Sequence, residues 1–467
     1  MSSNELKINK ENYRIVRNNS ENLLFHVPST SLFELDEKNE KLISKLSGNK
    51  INIDDFTKEE IIELEKLNIL GNNNEKHEYI EVRNFPATTL ILNIASGCNL
   101  SCTYCYKADL ETLSNSGNMT FETASKAIEH LYEGAPNQKV YNVTFFGGEP
   151  LSNFKLIQEI TSYAVKFFKE KKAIVDFTIT TNATLLTKEI IDFLKENRFG
   201  ITISIDGPKE IHNKTRLTNA GTGSYETVRK KVELLLSLYK NRPIGARVTL
   251  TRGVTQIEEI WNHLFNDLKF AEVGFAPATA SDNAIFNLSE YELIKVFNEF
   301  KLMGEKYIDS ALKGEFNGFS NIHRLLGDIH AGRKKKLPCG AGVGLLSVSY
   351  EGNFDLCHRF TGSDFPNFGN VKTGLDKPKL SNFIEKRLNT NDGNCSTCHI
   401  RNLCAGGCYH ESYIRYNDPT KAVLHYCDIM RDWIDFGLYA YAKIRNNNPE
   451  FFSLYFKEEK GDVNGLI

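Results

Sequence analysis

The sequence lacks the features that would place it in a membrane or on nucleic acid. No apolar run approaches the roughly 20 residues needed to span a bilayer. The N-terminal segment MSSNELKINKENYR has no apolar core after a basic start, so we expect no signal peptide. A formal net charge of −2 gives no electrostatic reason to bind nucleic acid or an anionic membrane. We therefore expect a cytoplasmic protein that contacts neither.

The composition is that of an ordinary globular protein of more than one domain. The chain has 467 residues, of which 41% are hydrophobic and 25% charged, enough for two or three domains. We see no internal repeats or extended low-complexity segments. The sequence predicts a small N-terminal module over residues 1–80, a barrel over 86–280 and a helical bridge over 281–336. A cysteine-rich region over 337–430 follows, and then a C-terminal helix with its tail over 431–467.

A repeated alternation of strands and helices begins near Ala87 and predicts an α/β fold. Six such units imply a parallel sheet curled into a partial (β/α)6 barrel, with function at the carboxyl ends of the strands. Thr255 and Glu258 form a capping-box pattern at the start of the last helix. The predicted strands are Thr88–Ala95, Asn142–Phe146, Asp176–Thr181, Ile201–Ile205, Ala246–Leu250 and Glu272–Ala276. The predicted helices are Phe121–Glu133, Lys155–Lys171, Lys188–Glu196, Tyr225–Tyr239 and Gln256–Leu268.

The N-terminal module reads as three strands followed by two helices, with a polar linker over 71–77. The predicted strands are Tyr13–Val16, Leu23–Val27 and Leu32–Leu35, and the predicted helices are Glu37–Leu46 and Lys58–Leu67.

Ten cysteines fall into two groups, three near residue 100 and seven between Cys339 and Cys427. In a secreted protein such clusters would indicate disulfides, whereas in a large chain without a signal peptide they indicate metal ligands. Cysteines two or three residues apart are also well placed to share one metal site.

The first group, Cys98-x3-Cys102-x2-Cys105, directly follows the apolar strand TTLILNIA. Three thiolates can hold three irons of a cubane cluster and leave the fourth iron for a small chelating molecule. A zinc site or buried free cysteines are the alternative. With Tyr104 before the third cysteine, the motif resembles the signature of the radical S-adenosylmethionine (SAM) superfamily. The resemblance implies that SAM chelates the open iron and is cleaved by one electron to a 5′-deoxyadenosyl radical, which abstracts hydrogen from the substrate.

Three further motifs follow predicted strands and resemble the superfamily's cofactor-binding segments. The resemblance implies that the backbone of Gly147-Gly148-Glu149 meets the methionine amino group, although the glycines alone would also fit a turn. In Thr181-Asn182-Ala183 the family often has glycine at the third position. In Ser204-Ile205-Asp206-Gly207 the resemblance implies that Ser204 contacts the ribose, with Arg216 as partner of the methionine carboxylate. The candidate cofactor-binding residues are Gly147, Gly148, Glu149, Thr181, Asn182, Ser204, Asp206 and Arg216.

The second group resembles the SPASM domain of radical enzymes that modify peptides and proteins. A four-cysteine zinc ribbon is the alternative for its central segment. The resemblance implies two auxiliary [4Fe–4S] clusters. Together with the cluster that binds SAM, the chain would then hold three [4Fe–4S] clusters. One auxiliary cluster would be held by Cys339, Cys357 and Cys408, and the other by Cys395, Cys398, Cys404 and Cys427.

Two clusters need eight thiolates, and this region has seven. The eighth position is open, filled by a side chain such as His358, or reserved for the substrate, and a substrate thiolate held there suits carbon–sulfur bond formation. Some relatives that oxidise protein side chains have aspartate where this chain has His358, although Asp355 is close by. Asp355 and His358 are the weak catalytic candidates.

The N-terminal module resembles the winged-helix-like leader-recognition domain of peptide-modifying enzymes, which adds a precursor's leader to an exposed sheet edge. An anonymous accessory domain is the alternative. We therefore expect a radical SAM oxidoreductase that matures a ribosomally made peptide, with a cysteine thioether as the favoured product and flavodoxin or ferredoxin as electron donor. A carbon–carbon cross-link, formylglycine formation by a sulfatase-type maturase, and a non-catalytic zinc scaffold are the rival hypotheses.

Overall fold

The N-terminal module is a three-stranded antiparallel sheet with helices against it. The structure is a computed structural model and describes residues 7–17, 22–46, 55–71, 79–107, 111–112, 116–281, 284–390 and 393–456. A short 3-10 turn at Lys10–Asn12 precedes the sheet. In chain order the elements are β1 (Lys7–Ile8), β2 (Tyr13–Arg17), β3 (Asn22–His26), β4 (Ser31–Glu34), α1 (Glu37–Lys45), α2 (Lys58–Lys66) and β5 (Leu70–Gly71).

Both faces of the middle strand, β3, are buried, and this is how the module joins the rest of the chain. Leu24 packs in a small core of the module's own, with the apolar sides of α1 and α2. Leu23 and Phe25 point the other way and join the main core. The three predicted strands and two predicted helices are confirmed. Of the predicted linker, Gly71 lies in β5, paired with β1, and 72–77 lie outside the described residues.

The central sheet contains all six predicted strands, and this prediction is confirmed. They run parallel in sequence order, and neighbouring strands are joined through helices. The elements are β6 (Thr89–Asn93), β7 (Gly97–Cys98), β8 (Glu111–Thr112), α3 (Phe121–Gly134), β9 (Val140–Phe146), α4 (Phe154–Glu170), β10 (Ile174–Thr181), α5 (Lys188–Glu196), β11 (Gly200–Ser204), α6 (Lys209–His212), α7 (Tyr225–Leu238), β12 (Ile244–Leu250), α8 (Ile257–Trp261) and β13 (Glu272–Pro277).

The last helix of the barrel differs from its prediction. The predicted helix Gln256–Leu268 is α-helical only as far as Trp261 and continues as a π-helix over Asn262–Asp267. The predicted capping box is wrong, because Gln256 occupies the N-cap and no side chain caps the helix. The backbone N–H of Thr255 instead donates to the side-chain Oε1 of Gln256, at 3.0 Å.

The C-terminal part of the chain completes the sheet and covers it. A long helix, α9, begins at a capping box formed by Ser289 and Glu292 and packs on the long C-terminal helix Cys427–Asn447. The elements are α9 (Glu290–Leu312), α10 (Ser320–His330), β14 (Leu345–Val348), β15 (Phe354–Asp355), β16 (Gly369–Asn370), β17 (Gly374–Leu375), α11 (Lys377–Asn389), α12 (Gly393–Ser396), α13 (Arg401–Cys404), α14 (Tyr409–Tyr416), α15 (Cys427–Asn447) and α16 (Glu450–Tyr455).

Two strands of the cysteine-rich region extend the barrel sheet, which the sequence patterns did not predict. β14 pairs parallel to β6, and β15 pairs antiparallel to β14. Within the described residues the ends of this eight-stranded sheet, β13 and β15, do not pair with each other, so the barrel is open. Cys357 is the second residue after β15 and therefore lies beside the barrel.

Candidate active site

A cavity of about 440 Å³ lies where the parallel strands end. Residues at or just after the carboxyl ends of β9, β10 and β11 line it, as expected for this edge of a parallel sheet. All three cysteines of the first motif open into it. The predicted site residues in its lining are Cys98, Cys102, Cys105, Gly147, Gly148, Glu149, Thr181, Asn182, Ser204, Arg216 and His358.

The segment over residues 95–105, which carries Cys98, Cys102 and Cys105 and is called the cysteine loop below, is held by its backbone against the segment after α6. The N–H groups of Ser101 and Thr103 donate to the carbonyls of Leu217 and Thr215, at 2.8 and 2.9 Å. Cys98 is buried, and burial, followed by the charge of Glu149, raises its pKa to about 12. Such a thiol stays protonated unless a metal binds it.

The donor set fits an iron–sulfur cluster. Three free thiols from one short loop face one cavity, and each iron of a cubane takes its own thiolate. Among the described residues, no three His, Cys, Asp or Glu side chains are arranged to hold a single metal ion.

The two glycines after β9 are required by contact with the cysteine loop. A Cβ on Gly148 would lie 2.1 Å from the carbonyl oxygen of Gly97, and one on Gly147 would lie 2.4 Å from that of Ala95. The N–H of Gly148 already donates to the Ala95 carbonyl at 2.8 Å, and the N–H of Glu149 donates to the Gly97 carbonyl at 2.9 Å. An amino group needs hydrogen-bond acceptors, so a ligand's amino group bound here would have to donate to backbone carbonyls of this segment.

The Glu149 carboxylate ties the ends of β9 and β10 together. It accepts from the Thr181 hydroxyl at 2.6 Å and from the backbone N–H of Asn182 at 2.8 Å. Burial raises its pKa, and these bonds oppose the rise. Asn182 in turn donates to Asn99 Oδ1 at 3.0 Å, within the cysteine loop. Ala183, where the family often has glycine, has a φ of +66°, a conformation that glycine adopts without strain.

A buried network links the cysteine loop to β11 and the segment after α6. The Tyr104 hydroxyl donates to Asp206 Oδ2 at 2.7 Å and accepts from Arg216 Nη1 at 2.6 Å. Asp206 also accepts from the backbone N–H of Thr249 at 3.0 Å. Arg216 and Asp206 are 4.0 Å apart and both are buried. Tyr104 had no predicted role, although its place before the third cysteine was the available signal.

The weak catalytic candidates lie in different surroundings. His358 lines the cavity, its ring centroid 4.5 Å from that of Phe146. Burial lowers its pKa to about 3, so the ring is neutral. Asp355 is outside the cavity lining and accepts a 2.9 Å bond from the Thr361 hydroxyl, which itself accepts from Asn93.

Three arginines in the cavity lining had no predicted role. They are Arg247, Arg324 and Arg359, which come from β12, α10 and the loop after Cys357. Arg359 lies over the ring of Tyr106, 4.8 Å from its centroid. No sequence motif marked them, because the three positions are far apart in the chain.

The seven remaining cysteines form two spatial groups. Cys395, Cys398, Cys404 and Cys427 line a second cavity of about 270 Å³. Desolvation raises the pKa of Cys357 to about 12, and the neighbouring thiols of Cys408 and Cys339 raise it as well, so these three are close. The predicted division into two ligand sets matches this grouping in space, and the ligation itself stays a prediction.

Among the described residues, no helix combines the length and the apolar character needed to cross a membrane. A family model described as the radical SAM superfamily matches residues 92–265. This span carries the cysteine loop, the Gly147–Glu149 turn, and the Tyr104 network. The superfamily implies one [4Fe–4S] cluster and SAM as cofactors.

Two curated relatives align along most of their own lengths. The radical SAM cyclopropyl synthase TigE of Paramaledivibacter caminithermalis is 24% identical over 92% of this chain and 95% of its own. The cysteine-type anaerobic sulfatase-maturating enzyme of Clostridium novyi is 28% identical over 74% of this chain and 94% of its own.

Two solved structures share the fold. Native anSMEcpe with bound AdoMet superimposes with a TM-score of 0.61 at 20% identity, covering 79% of this chain and 99% of that one. Streptococcus suis SuiB bound to precursor peptide SuiA superimposes with a TM-score of 0.54 at 18% identity, covering 89% of this chain and 98% of that one. The open parallel sheet, the cysteine loop and the superfamily match agree, and the chain therefore contains a radical SAM domain over residues 92–265.

Proposed function

We propose that this chain is a radical SAM oxidoreductase that matures a ribosomally synthesised peptide by installing a cross-link, with a cysteine thioether as the favoured product. The proposal rests chiefly on one observation, a small sheet with an available edge docked beside a cysteine-rich region and a radical SAM domain. When bound, SAM and its cluster would supply a hydrogen-abstracting radical, and two auxiliary clusters would supply an acceptor for the second electron. The chain's own residues bind the peptide, orient it and exclude water.

The edge strand β4 supports a role in leader binding. β4 pairs with β3 on one side, and within the described residues no strand pairs with its other side. Phe33, in the middle of β4, is 42% exposed. An extended peptide could add to this edge through main-chain hydrogen bonds, with Phe33 giving an apolar contact.

The module is fixed on the cysteine-rich region, so a bound leader would have a defined position. Arg401 donates to the Glu11 carbonyl at 2.7 Å and to Asn12 Oδ1 at 3.1 Å. Asn402 donates to the Val27 carbonyl at 2.7 Å, and Arg14 pairs with Asp435 at 2.8 Å.

The relatives support a peptide substrate. SuiB has been solved with precursor peptide SuiA, and anSMEcpe with a bound Cp18Cys peptide. TigE aligns with 92% of this chain, whereas the Clostridium novyi sulfatase-maturating enzyme aligns with 74%. TigE is thus similar to this chain over more of its length than the sulfatase-maturating enzyme is.

The direct test uses anaerobically reconstituted enzyme with the short open reading frames neighbouring its gene, each supplied as a synthetic peptide. A thioether removes two hydrogens per link and one free thiol, so the product should lose mass and resist alkylation by iodoacetamide. Loss of two hydrogens with the thiol retained would identify a carbon–carbon bond instead. Cys102→Ala should release no 5′-deoxyadenosine; unchanged release would contradict the proposal.

The leader role has its own test. Phe33→Glu should weaken binding of the full precursor by about tenfold or more, because a charge replaces an apolar edge contact. Tyr291→Glu, which changes an exposed aromatic residue of α9, is the matched control and should bind normally. Equal binding by both variants would leave the module without a role in recognition and favour the sulfatase-type alternative.

A further inference from the structure

Three arginine side chains enter the active-site cavity from three separate parts of the fold. Arg247 comes from β12, Arg324 from α10, and Arg359 from the loop after Cys357. The barrel, the helical bridge and the cysteine-rich region thus each contribute one arginine to the cavity. The side chain of Arg247 is exposed to the cavity.

No carboxylate in the described part of the chain is bonded to these guanidinium groups, although Glu272 acts electrostatically on Arg247 and Glu411 on Arg359. None of the three forms an ion pair or a side-chain hydrogen bond there, and the buried Nε of Arg359 lacks an acceptor. Desolvation by the walls of the cavity lowers the pKa of Arg247 to about 10, and the positive charges of Arg324 and Arg359 add to this effect. The negative charge of Glu272 opposes it only in part. Like charges gathered without a counter-ion are unfavourable, so the arrangement calls for an anion.

The carboxylate in the cavity lining, Glu149, and the buried Asp206 beside the cavity do not serve as that anion. Glu149 is occupied by Thr181 and Asn182. Asp206 is occupied by Tyr104 and the backbone of Thr249. Among the thiols of the cysteine loop, Cys102 is acted on by the charge of Arg216 and not by that of the three arginines.

We propose that Arg247, Arg324 and Arg359 bind a carboxylate of the peptide substrate and hold it between the cysteine loop and the Cys357 segment. This inference rests on the proposed function, since it requires a peptide in the cavity. Guanidinium groups bind carboxylates through paired, charge-assisted hydrogen bonds, which fix orientation as well as affinity. The carboxylate belongs to an Asp or Glu side chain or to the peptide's C-terminus.

The test measures binding of synthetic peptides to the reconstituted enzyme with SAM. Three randomised decapeptide libraries without other acidic residues carry an uncharged fluorophore. The first has a central Glu and an amidated C-terminus, the second a central Gln and an amidated C-terminus, and the third a central Gln and a free C-terminal carboxylate. Fluorescence anisotropy gives the dissociation constants, and equilibrium dialysis gives that of SAM.

The wild-type enzyme should bind the first or the third library about tenfold more tightly than the second. In Arg247→Gln and Arg359→Gln this preference should fall below about twofold, whereas Arg247→Lys should keep part of it. Arg229→Gln, which removes a surface arginine paired with Glu233, should keep all of it. Iron content and absorbance spectra confirm that each variant is folded and loaded.

Other results would overturn the inference. Equal binding of the three libraries by the wild type would show that no substrate carboxylate is recognised. A SAM dissociation constant raised about tenfold in the variants, with library preferences intact, would assign the anion to SAM. Because binding needs no turnover, charge-dependent binding without any peptide modification would contradict the proposed function alone. Modification without charge-dependent binding would contradict this inference alone.

Discussion

Tyr104→Phe tests whether the buried network holds the cysteine loop on the barrel. The hydroxyl bridges Asp206 and Arg216, which are otherwise 4.0 Å apart. Its removal deletes two hydrogen bonds to charged groups and leaves each charge with one partner fewer. A hydrogen bond to a charged group contributes about 1.5–3 kcal/mol. Because the remaining ion pair can close over part of the gap, we expect a loss of about 2–3 kcal/mol in the free energy of unfolding of the barrel.

The assay uses tryptophan fluorescence during urea unfolding of the metal-free protein under anaerobic conditions. The chain has two tryptophans. Trp261 stacks on Phe265 in the barrel, with ring centroids 5.0 Å apart, whereas Trp433 lies in α15. In a Trp433→Phe background the signal therefore reports barrel unfolding. Tyr104→Phe, Asp206→Asn and the double variant then complete a thermodynamic cycle, with an expected coupling of about 1–3 kcal/mol.

The matched control is Tyr163→Phe, which removes a hydroxyl bonded to Glu129 at 2.7 Å on the outer helices. Its coupling to Asp206→Asn should be close to zero, because the two sites share no partner. If Tyr104→Phe and Asp206→Asn are additive as well, the hydroxyl does not connect the loop to the barrel, and the reasoning is refuted.

Three further variants test other parts of the site. Burial, followed by Arg216, lowers the pKa of His212 from 6.5 to about 2, so below pH 6.5 the unfolded chain takes up a proton that the folded chain does not. Lowering the pH from about 7.5 to about 5 should therefore cost the wild type about 2 kcal/mol more than His212→Gln in urea unfolding. Gly148→Ala should lose about four of twelve irons and all SAM cleavage, because its Cβ meets the Gly97 carbonyl. Gly134→Ala, whose Cβ would lie 3.8 Å from the nearest atom, the Phe85 carbonyl oxygen, should keep both. An iron assay and the release of 5′-deoxyadenosine measure the two losses. Arg387→Met should lose auxiliary irons only, because Arg387 donates to the carbonyls of Thr420 and Ala405 beside Cys404.

The strands and the cysteine loop could be predicted because their signals are local. An apolar strand buried on both faces, such as TLILN of β6, reads the same in the sequence as in the structure. The topology rule for parallel strands then places the carboxyl ends of the strands at one edge, and this brings Gly147, Thr181 and Ser204 to one cavity.

The contacts that the sequence did not predict depend on partners far away in the chain. Tyr104 meets residues more than a hundred positions later, and a tyrosine alone gives no sign of its partner. β14 is only four residues long, and its place beside β6 is set by pairing that no periodicity reveals. The π-helical end of α8 likewise has no sequence signal that we recognise.

The way the N-terminal module is attached decides how leader recognition should be tested. Deleting residues before about Phe85 would remove the module, but it would also remove the partners of Arg401. Arg401 donates to the Cys398 carbonyl as well, at 3.2 Å, and α13 carries both Arg401 and Cys404. A truncated enzyme that lost activity could therefore have lost an auxiliary cluster and not leader binding. A change on the outer edge, such as Phe33→Glu, leaves these contacts in place and separates the two causes.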